Sequence, residues 1–216
     1  MFNDNSDNSQ SIAPAGIPFS QACENNKQPI LDVLQKELRE STHVLEVGSG
    51  TGQHSVYFAP RLTYLTWQTS DVLAHHSTIN AWHTAYPAPS LYAPLAFDLE
   101  VDPLPISLAS NQLYDAVFTA NTLHIISWLL VEQLFELVGD ALAINGKLIV
   151  YGPFNENRHY TSARNQQFDI SLRQRDPKSG IRHLEDIIVL AETHHLKLSN
   201  KYEMPANNQL LVFQKY

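Results

Sequence analysis

Three of the eight glycines in this 216-residue chain, Gly48, Gly50 and Gly52, occupy alternate positions directly behind the apolar run His43–Val47. No other feature restricts the fold as much. A glycine loop at the end of a short apolar strand lets a ligand come close to the backbone, because no side chain stands in the way. The stretch "THVLEV" reads as a buried strand, and "QHSVYFAP" as the start of a helix that Pro60 ends.

The following segments repeat this alternation. "LTYLTWQTSD" reads as a second strand, 72–84 as a helix, "LYAPLAFDLE" as a third strand and "QLYDAVFTAN" as a fourth. "ISWLLVEQLFELVGDALA" has the pattern of an amphipathic helix, and "NGKLIVYGP" supplies a turn and a fifth strand. Ahead of the glycine loop, apolar residues from Ile30 to Leu38 recur at helical spacing, with Pro29 suited to a first helical position. A polar stretch over 155–180 leads to a helix near 183–193 and two closing strands, "LKLSNKYEM" and "QLLVFQKY", joined at "PANN". This alternation predicts an α/β fold: a doubly wound, mostly parallel seven-stranded sheet with an antiparallel terminal hairpin strand. Residues 1–17, rich in Asn, Ser, Asp and Gln, read as a disordered tail, and 18–216 as one domain.

Three ligand classes compete for the loop. A nucleoside-triphosphate loop ends in Gly-Lys-Ser/Thr, whereas Gly52 is followed by Gln53 and His54. A dinucleotide fingerprint needs a glycine where this chain has Gln53. The spacing present is Glu-x-Gly-x-Gly-x-Gly, with Glu46 two residues ahead of Gly48. A carboxylate there repels a pyrophosphate and suits a ligand carrying an ammonium or sulfonium cation.

"VLEVGSGTG" resembles the first motif of class I S-adenosylmethionine-dependent methyltransferases, and the closing hairpin resembles that fold's antiparallel last strand. From Pro18 onward, "CENNKQPIL", "WQTSD", "YGPF", "FDISLRQRDP", "GIR" and "MPANN", in this order, are similar to the methyltransferase-like 26 family, a domain of unknown function. The resemblance implies a Rossmann-like fold and S-adenosylmethionine as methyl donor, and it supplies no acceptor. It places Gly48, Ser49, Gly50 and Gly52 beside the methionine part and turns Glu46 toward its amino group or toward the loop. It sets Asp71 at the ribose hydroxyls, Val72 on the adenine face, Asp98 and Leu99 at the adenine amino group, and Asn121 beneath the methionine. Taken alone, Asp71 also reads as a helix cap, "FDLEVDP" as an acidic turn and Trp67 as core.

A sulfonium methyl donor is already activated, so a methyltransferase mainly aligns the reactants and excludes water, and needs a base only if the acceptor must lose a proton. Residues 121–124 and 151–154, Pro153 among them, are therefore expected to line the acceptor pocket. His124 is the candidate general base and Tyr151 a candidate orienting hydroxyl; a helix-proximal histidine and a strand-ending tyrosine are the structural alternatives. The resemblance also marks Glu24 and Asn26, ahead of the first helix, where a polar segment can fold over the cofactor, and Asn207 with Asn208 in the terminal turn, which Asn-Asn suits by itself. Asp169 and Arg173 read as an i,i+4 ion pair or, with Arg175 and Arg182, as a site for an anionic acceptor.

A net charge of −8 without a Lys/Arg cluster, and "NTLH" in place of an Asn-Pro-Pro-aromatic signature, speak against nucleic acid or an anionic membrane as partner. The single Cys23 fits a reducing cytoplasm, the first residues lack the pattern of a signal peptide, and the apolar stretch over 123–131 is too short to span a bilayer. The adjacent pairs His75-His76 and His194-His195 do not converge on one ion, so no metal is expected. The function expected is cytoplasmic methyl transfer to a small-molecule or amino-acid-like acceptor. A non-enzymatic sensor or scaffold for the donor or its demethylated product is the alternative, because no base is unambiguous. An NAD(P)-dependent oxidoreductase is weakened by Gln53 and Glu46. Oligomeric state is not written in this sequence.

Overall fold

A computed structural model describes residues 16–106 and 114–216. The tail expected over 1–17 therefore lies, up to residue 15, outside the described residues. The chain order is α1 (Gln21–Glu37), β1 (His43–Val47), α2 (Gln53–Phe58), a 3-10 turn (Ala59–Arg61), β2 (Thr66–Asp71), α3 (Leu73–Ala85), β3 (Leu91–Ala96) and β4 (Ala116–Ala120). It continues with α4 (Trp128–Ala141), β5 (Lys147–Gly152), β6 (Phe154–Asn155), α5 (Ala163–Arg175), β7 (Arg182–His183), α6 (Leu184–Thr193), β8 (Leu196–Met204), a 3-10 turn (Pro205–Asn207) and β9 (Asn208–Lys215).

Seven strands form one sheet in the order β3-β2-β1-β4-β5-β9-β8, and β6 and β7 make a separate two-stranded ribbon. All strand pairs from β3 to β5 are parallel, and β9 runs antiparallel to both β5 and β8. The expected seven-stranded, doubly wound architecture with its antiparallel hairpin strand is thus present. Successive β1, β4, β5 and β9 residues alternate between two cores, which explains why these strands read as nearly continuous apolar runs. Val44, Phe118, Ile149 and Val212 pack with Ile30, Leu34 and Phe58 under α1 and α2, whereas Leu45, Val117, Leu148 and Phe213 pack with Leu134, Phe135 and Ile187 under α4 and α6. Pro94 is accommodated because β3 lies at the sheet edge, where a missing amide leaves no ladder bond unmade.

Two helices depart from the sequence expectation. Pro29 does not open α1 but lies inside it, and the helix begins at Gln21 with Ser20 as its cap, whose hydroxyl accepts from the Cys23 amide at 3.3 Å. Glu24 and Asn26 are accordingly within α1 rather than ahead of it. The polar stretch over 155–180 contains α5, capped by Ser162, whose hydroxyl accepts from the Asn165 amide at 3.1 Å. Its buried positions are Asn165, Asp169 and Leu172, a helical stripe that is mostly polar. Strand order reverses between β1 and β4, so the crevice beyond their carboxyl ends is where this topology leaves room for a ligand.

Candidate active site

The glycine loop begins where β1 ends. Gly48, Gly50 and Gly52 have φ of 74°, 59° and 84°, all left-handed, so a side chain at any of them strains the backbone. What a Cβ would meet differs. At Gly48 it comes within 3.0 Å of Thr122 Oγ1, across the crevice, and at Gly52 within 3.2 Å of the Ile79 backbone in α3. At Gly50 it meets nothing within 4 Å. Gly48 and Gly52 are thus glycines for packing as well as conformation, whereas Gly50 borders open space.

Glu46 and Asp71 stand on either side of this loop. Glu46 is buried, and its Oε2 accepts from Trp67 Nε1 at 2.9 Å. Burial pushes its carboxyl up to about 7 against hydrogen bonds from Trp67 and Ser49, and the neighbouring Asp71 adds to the rise. Ser49 and Gly48 donate their amides to the Ser70 carbonyl at 3.2 and 3.1 Å, tying the loop to the end of β2. Asp71 accepts from the Gly50 amide at 2.7 Å, the Val72 amide at 2.8 Å and His75 Nδ1 at 2.8 Å. It is not the cap of α3, since the capping position is Val72. Trp67 is fully buried.

The first turns of α1 close over the loop. Gln53 accepts from the Ser20 amide at 2.5 Å and donates to the Ser20 carbonyl at 3.3 Å and Glu24 Oε1 at 2.9 Å. His54 Nε2 lies 2.7 Å from Asn26 Oδ1, and burial lowers this imidazole to about 4. The Pro18 carbonyl accepts from Trp82 Nε1 at 3.0 Å, anchoring the approach to α1 on α3. Gln53, the residue that argues against a dinucleotide, is thus the clasp between helix and loop.

Beyond β4 and β5 lies a cavity of about 280 Å³ whose walls include Asn26, Asn121, Tyr151, Pro153, Phe168 and Asn208. Asn121 has a left-handed φ of 58° and donates its amide to the Tyr151 carbonyl at 2.9 Å, which joins the ends of the two strands. Burial raises the Tyr151 phenol against hydrogen bonds from Asn26 and Asn208. His124 is buried with its ring edge-on to Phe168 at 5.4 Å, and it is not among the lining residues. Burial first, and Arg182 second, hold its imidazole down at about 4. Asn207 likewise lies outside the lining; its carbonyl accepts from Asn165 Nδ2 at 3.0 Å, while Asn208 takes the place at the wall.

Asp98 is exposed and accepts from the Glu100 amide at 3.0 Å, while its own amide donates to Asp102 at 2.8 Å; this is the acidic turn, with Leu99 half-buried in it. Arg173 donates to Asp169 at 2.9 Å, the simple ion pair, and Asp169 also accepts from Tyr160 at 2.8 Å and the Ile181 amide at 2.6 Å. Arg182 donates to the carbonyls of Leu123 at 2.9 Å, Lys178 at 3.1 Å and Ile126, pinning the segment that carries His124. These bonds engage Arg173 and Arg182 within the protein. A cation at the cavity is Arg164, which the sequence reading missed because the buried stripe of α5 is mostly polar and no apolar period marks the helix. Among the described residues no helix is long and apolar enough to cross a membrane, and no group of three His, Cys, Asp or Glu is placed to hold a metal ion.

A family model with the description "Protein of unknown function (DUF938)" matches residues 17–215. The chain belongs to that family. The DUF938 chain is also similar in fold to solved methyltransferases. It superposes on an O-methyltransferase family 2 protein from Planctomyces limnophilus, in complex with apigenin, with a TM-score of 0.78 at 16% identity, covering 90% of this chain and 58% of that one. For human N-acetylserotonin methyltransferase in complex with SAM the values are 0.76, 13%, 90% and 52%, and for an O-methyltransferase family protein from Burkholderia thailandensis 0.73, 15%, 88% and 56%. The DUF938 chain thus spans 52–58% of these three proteins and shares their Rossmann-like fold over that span.

Proposed function

We propose that this protein binds S-adenosylmethionine along the ends of β1, β2 and β4 and transfers its methyl group to a small-molecule acceptor in the cavity beyond β4 and β5. One observation carries the reading. Gly50 borders open space in a left-handed loop that follows Glu46 and that Asp71 holds through the Gly50 amide, and Asn121, beyond the neighbouring strand β4, lines a cavity at the same carboxyl end of the sheet, beside the topological switch point. The fit to this cofactor is a fit of chemistry. Carboxylates suit a cation and reject a pyrophosphate, and Gly50 leaves the main chain accessible. A fully buried carboxyl that titrates near neutrality gains from an ammonium group beside it.

When bound, S-adenosylmethionine supplies a methyl group on a sulfonium sulfur, which needs no further activation. Gly48, Ser49, Gly50 and Gly52 shape the seat of the methionine, with Glu46 at its amino group and Asn121 beneath it. Asp71 takes the ribose hydroxyls in place of His75, whose side chain is 54% exposed and leaves at little cost. Val72, Asp98 and Leu99 border the adenine. Glu24 acts through Gln53 to hold α1 across the site, and Tyr151 with Asn26 and Asn208 orients the acceptor. Phe168 and Pro153 exclude water from the cavity. His124, held neutral, frames the wall behind Phe168. The similarity to the methyltransferase-like 26 family and the extent of the domain, 18–216, belong to this same reading.

A second reading has one observation in its favour. Among the described residues no side chain that ionises near neutral pH lines the cavity, as befits a protein that binds the donor or its demethylated product without turnover. Calorimetric titration with S-adenosylmethionine, S-adenosylhomocysteine and NAD(H) tests the cofactor; binding of NAD(H) alone would overturn the proposal. Transfer of labelled methyl from the donor into the small-molecule fraction of a cell extract separates the enzyme from the sensor, which transfers to nothing.

A further inference from the structure

Among the described residues that line the cavity, one side chain, Arg164, carries a full charge, and none is an Asp or Glu. Its position is unusual for a cation. Arg164 sits in the first turn of α5, a turn with no acidic residue, where the partial positive charge of the helix end disfavours it. The other arginines of this region are engaged within the protein. Arg158 pairs with Asp186 at 2.7 Å, Arg173 with Asp169 at 2.9 Å, and Arg182 is bound to loop carbonyls. Among the described residues Arg164 has no ion-pair partner. Exposed at the cavity mouth and without an ion-pair partner, this guanidinium is solvated in the free protein and open to an anionic ligand.

The surroundings specify the ligand. Beside Arg164 stand neutral amides held in place by the protein. Asn165 is 4% exposed, and its Nδ2 donates to Thr161 Oγ1 at 2.9 Å and the Asn207 carbonyl at 3.0 Å. Asn208 donates to the Pro205 carbonyl at 3.0 Å. One guanidinium among neutral amides matches a singly charged, planar anion, which a fork of parallel N–H groups holds bidentately. A phosphate monoester, with nearly two charges, finds a single cation here. Phe168, one helical turn beyond Arg164, adds an apolar wall, and about 280 Å³ sits at the small end of ligand pockets.

We infer that the molecule taken up by this cavity is a small carboxylic acid, whose carboxylate Arg164 holds at the mouth while the rest of the molecule turns toward Tyr151 and Asn121. As an assignment of the methyl acceptor this rests on the methyl-transfer reading above; as an anion site it stands on Arg164 and its neighbours.

The test is binding of matched pairs to the full chain: benzoate against benzamide, 4-hydroxybenzoate against 4-hydroxybenzamide, and 3-phenylpropionate against its amide, with phenyl phosphate as a fourth probe, followed by calorimetry and ligand-observed NMR. At least one acid binds about tenfold more tightly than its amide, the effect of one charge-assisted pair. Arg164→Gln, at an exposed position, removes the preference and leaves amide binding unchanged, whereas Arg173→Gln retains it. Equal binding of acids and amides, no binding of any acid at millimolar concentration, a preference that survives Arg164→Gln, or tighter binding of phenyl phosphate than of the acids overturns the assignment. A protein that binds S-adenosylmethionine but does not prefer acids loses only this inference. One whose Arg164 selects acids while the donor does not bind keeps its anion site and loses the methyl-transfer reading.

Discussion

At the carboxyl end of the sheet, residues 46–53 shape one wall held by main-chain hydrogen bonds, while the cavity beyond β4 and β5 takes its wall from side chains of α1, β5, α5, the loop after β4 and the turn between β8 and β9. The first wall comes from eight consecutive residues, of which Gly48, Gly50 and Gly52 hold left-handed geometry. The second draws Asn26, Asn121, Tyr151, Arg164 and Asn208 from segments far apart in the chain. A backbone wall suits a ligand that is the same in every reaction of a fold class. A side-chain wall can change its ligand by single substitutions, because no chain path has to alter.

The largest expected effects fall on the backbone wall and divide it internally. Gly52→Ala adds left-handed strain and a contact with the Ile79 backbone in α3, which does not yield as a flexible side chain does. The expected loss is roughly 3–4 kcal/mol of unfolding free energy, read from denaturant melts. Gly50→Ala carries the strain alone, about 1 kcal/mol, and instead weakens S-adenosylmethionine by more than about tenfold in calorimetry. Equal stability losses for the two would break the distinction between a packing glycine and a ligand-facing one.

Glu46 gives a pH signature of nearly the same size. Its carboxyl rises from an ordinary 4.5 to about 7, so between these values the folded protein holds a proton that the unfolded chain has released. Stability is therefore fullest below pH 4.5 as far as this group is concerned, and falls as pH rises through 7, by on the order of 3 kcal/mol. Glu46→Gln removes that slope in melts recorded from pH 5 to 8, and a slope left intact would take Glu46 out of its buried place. Asp71→Ala comes next. It removes the acceptor that holds the Gly50 amide at 2.7 Å, and weakens the donor by about ten- to hundredfold. An unchanged affinity refutes its role at the ribose.

The same contrast decides what could be read in advance. The sheet, its reversal point and the glycine loop were legible because both faces of β1, β4, β5 and β9 are apolar and the loop is contiguous. The start of α1 was hidden because its first turns bury polar residues. Asn26 lies against His54, and Lys27 bonds to Glu24 and lies over the Tyr57 ring, so no apolar period marks them, while Pro29 imitates a helix start. The α5 helix was hidden for the same reason, burying Asn165 and Asp169 through hydrogen bonds. Its signals were present nonetheless: Ser162 three residues ahead of Asn165, and an Asp-Arg pair at i,i+4. With α5 unrecognised, Arg164 had no face, and Arg173 was weighed in its stead.

His124 offers the smallest effect and the sharpest question about the side-chain wall. A base needs a pKa near the working pH to take up a proton with useful driving force, and burial holds this imidazole at about 4. It is neutral at pH 7, its ring edge-on to Phe168, with Gly152 so close that a Cβ there would lie 3.5 Å from Nδ1. The expectation is that His124→Gln leaves S-adenosylmethionine affinity unchanged and lowers methyl transfer to the accepting fraction of an extract by less than about tenfold, through looser packing at Phe168. The rate should then show no pH limb that the variant abolishes. A loss of about a thousandfold, together with a neutral-range limb present only in the unmodified protein, would make His124 the base after all. The acceptor wall would then do chemistry as well as selection.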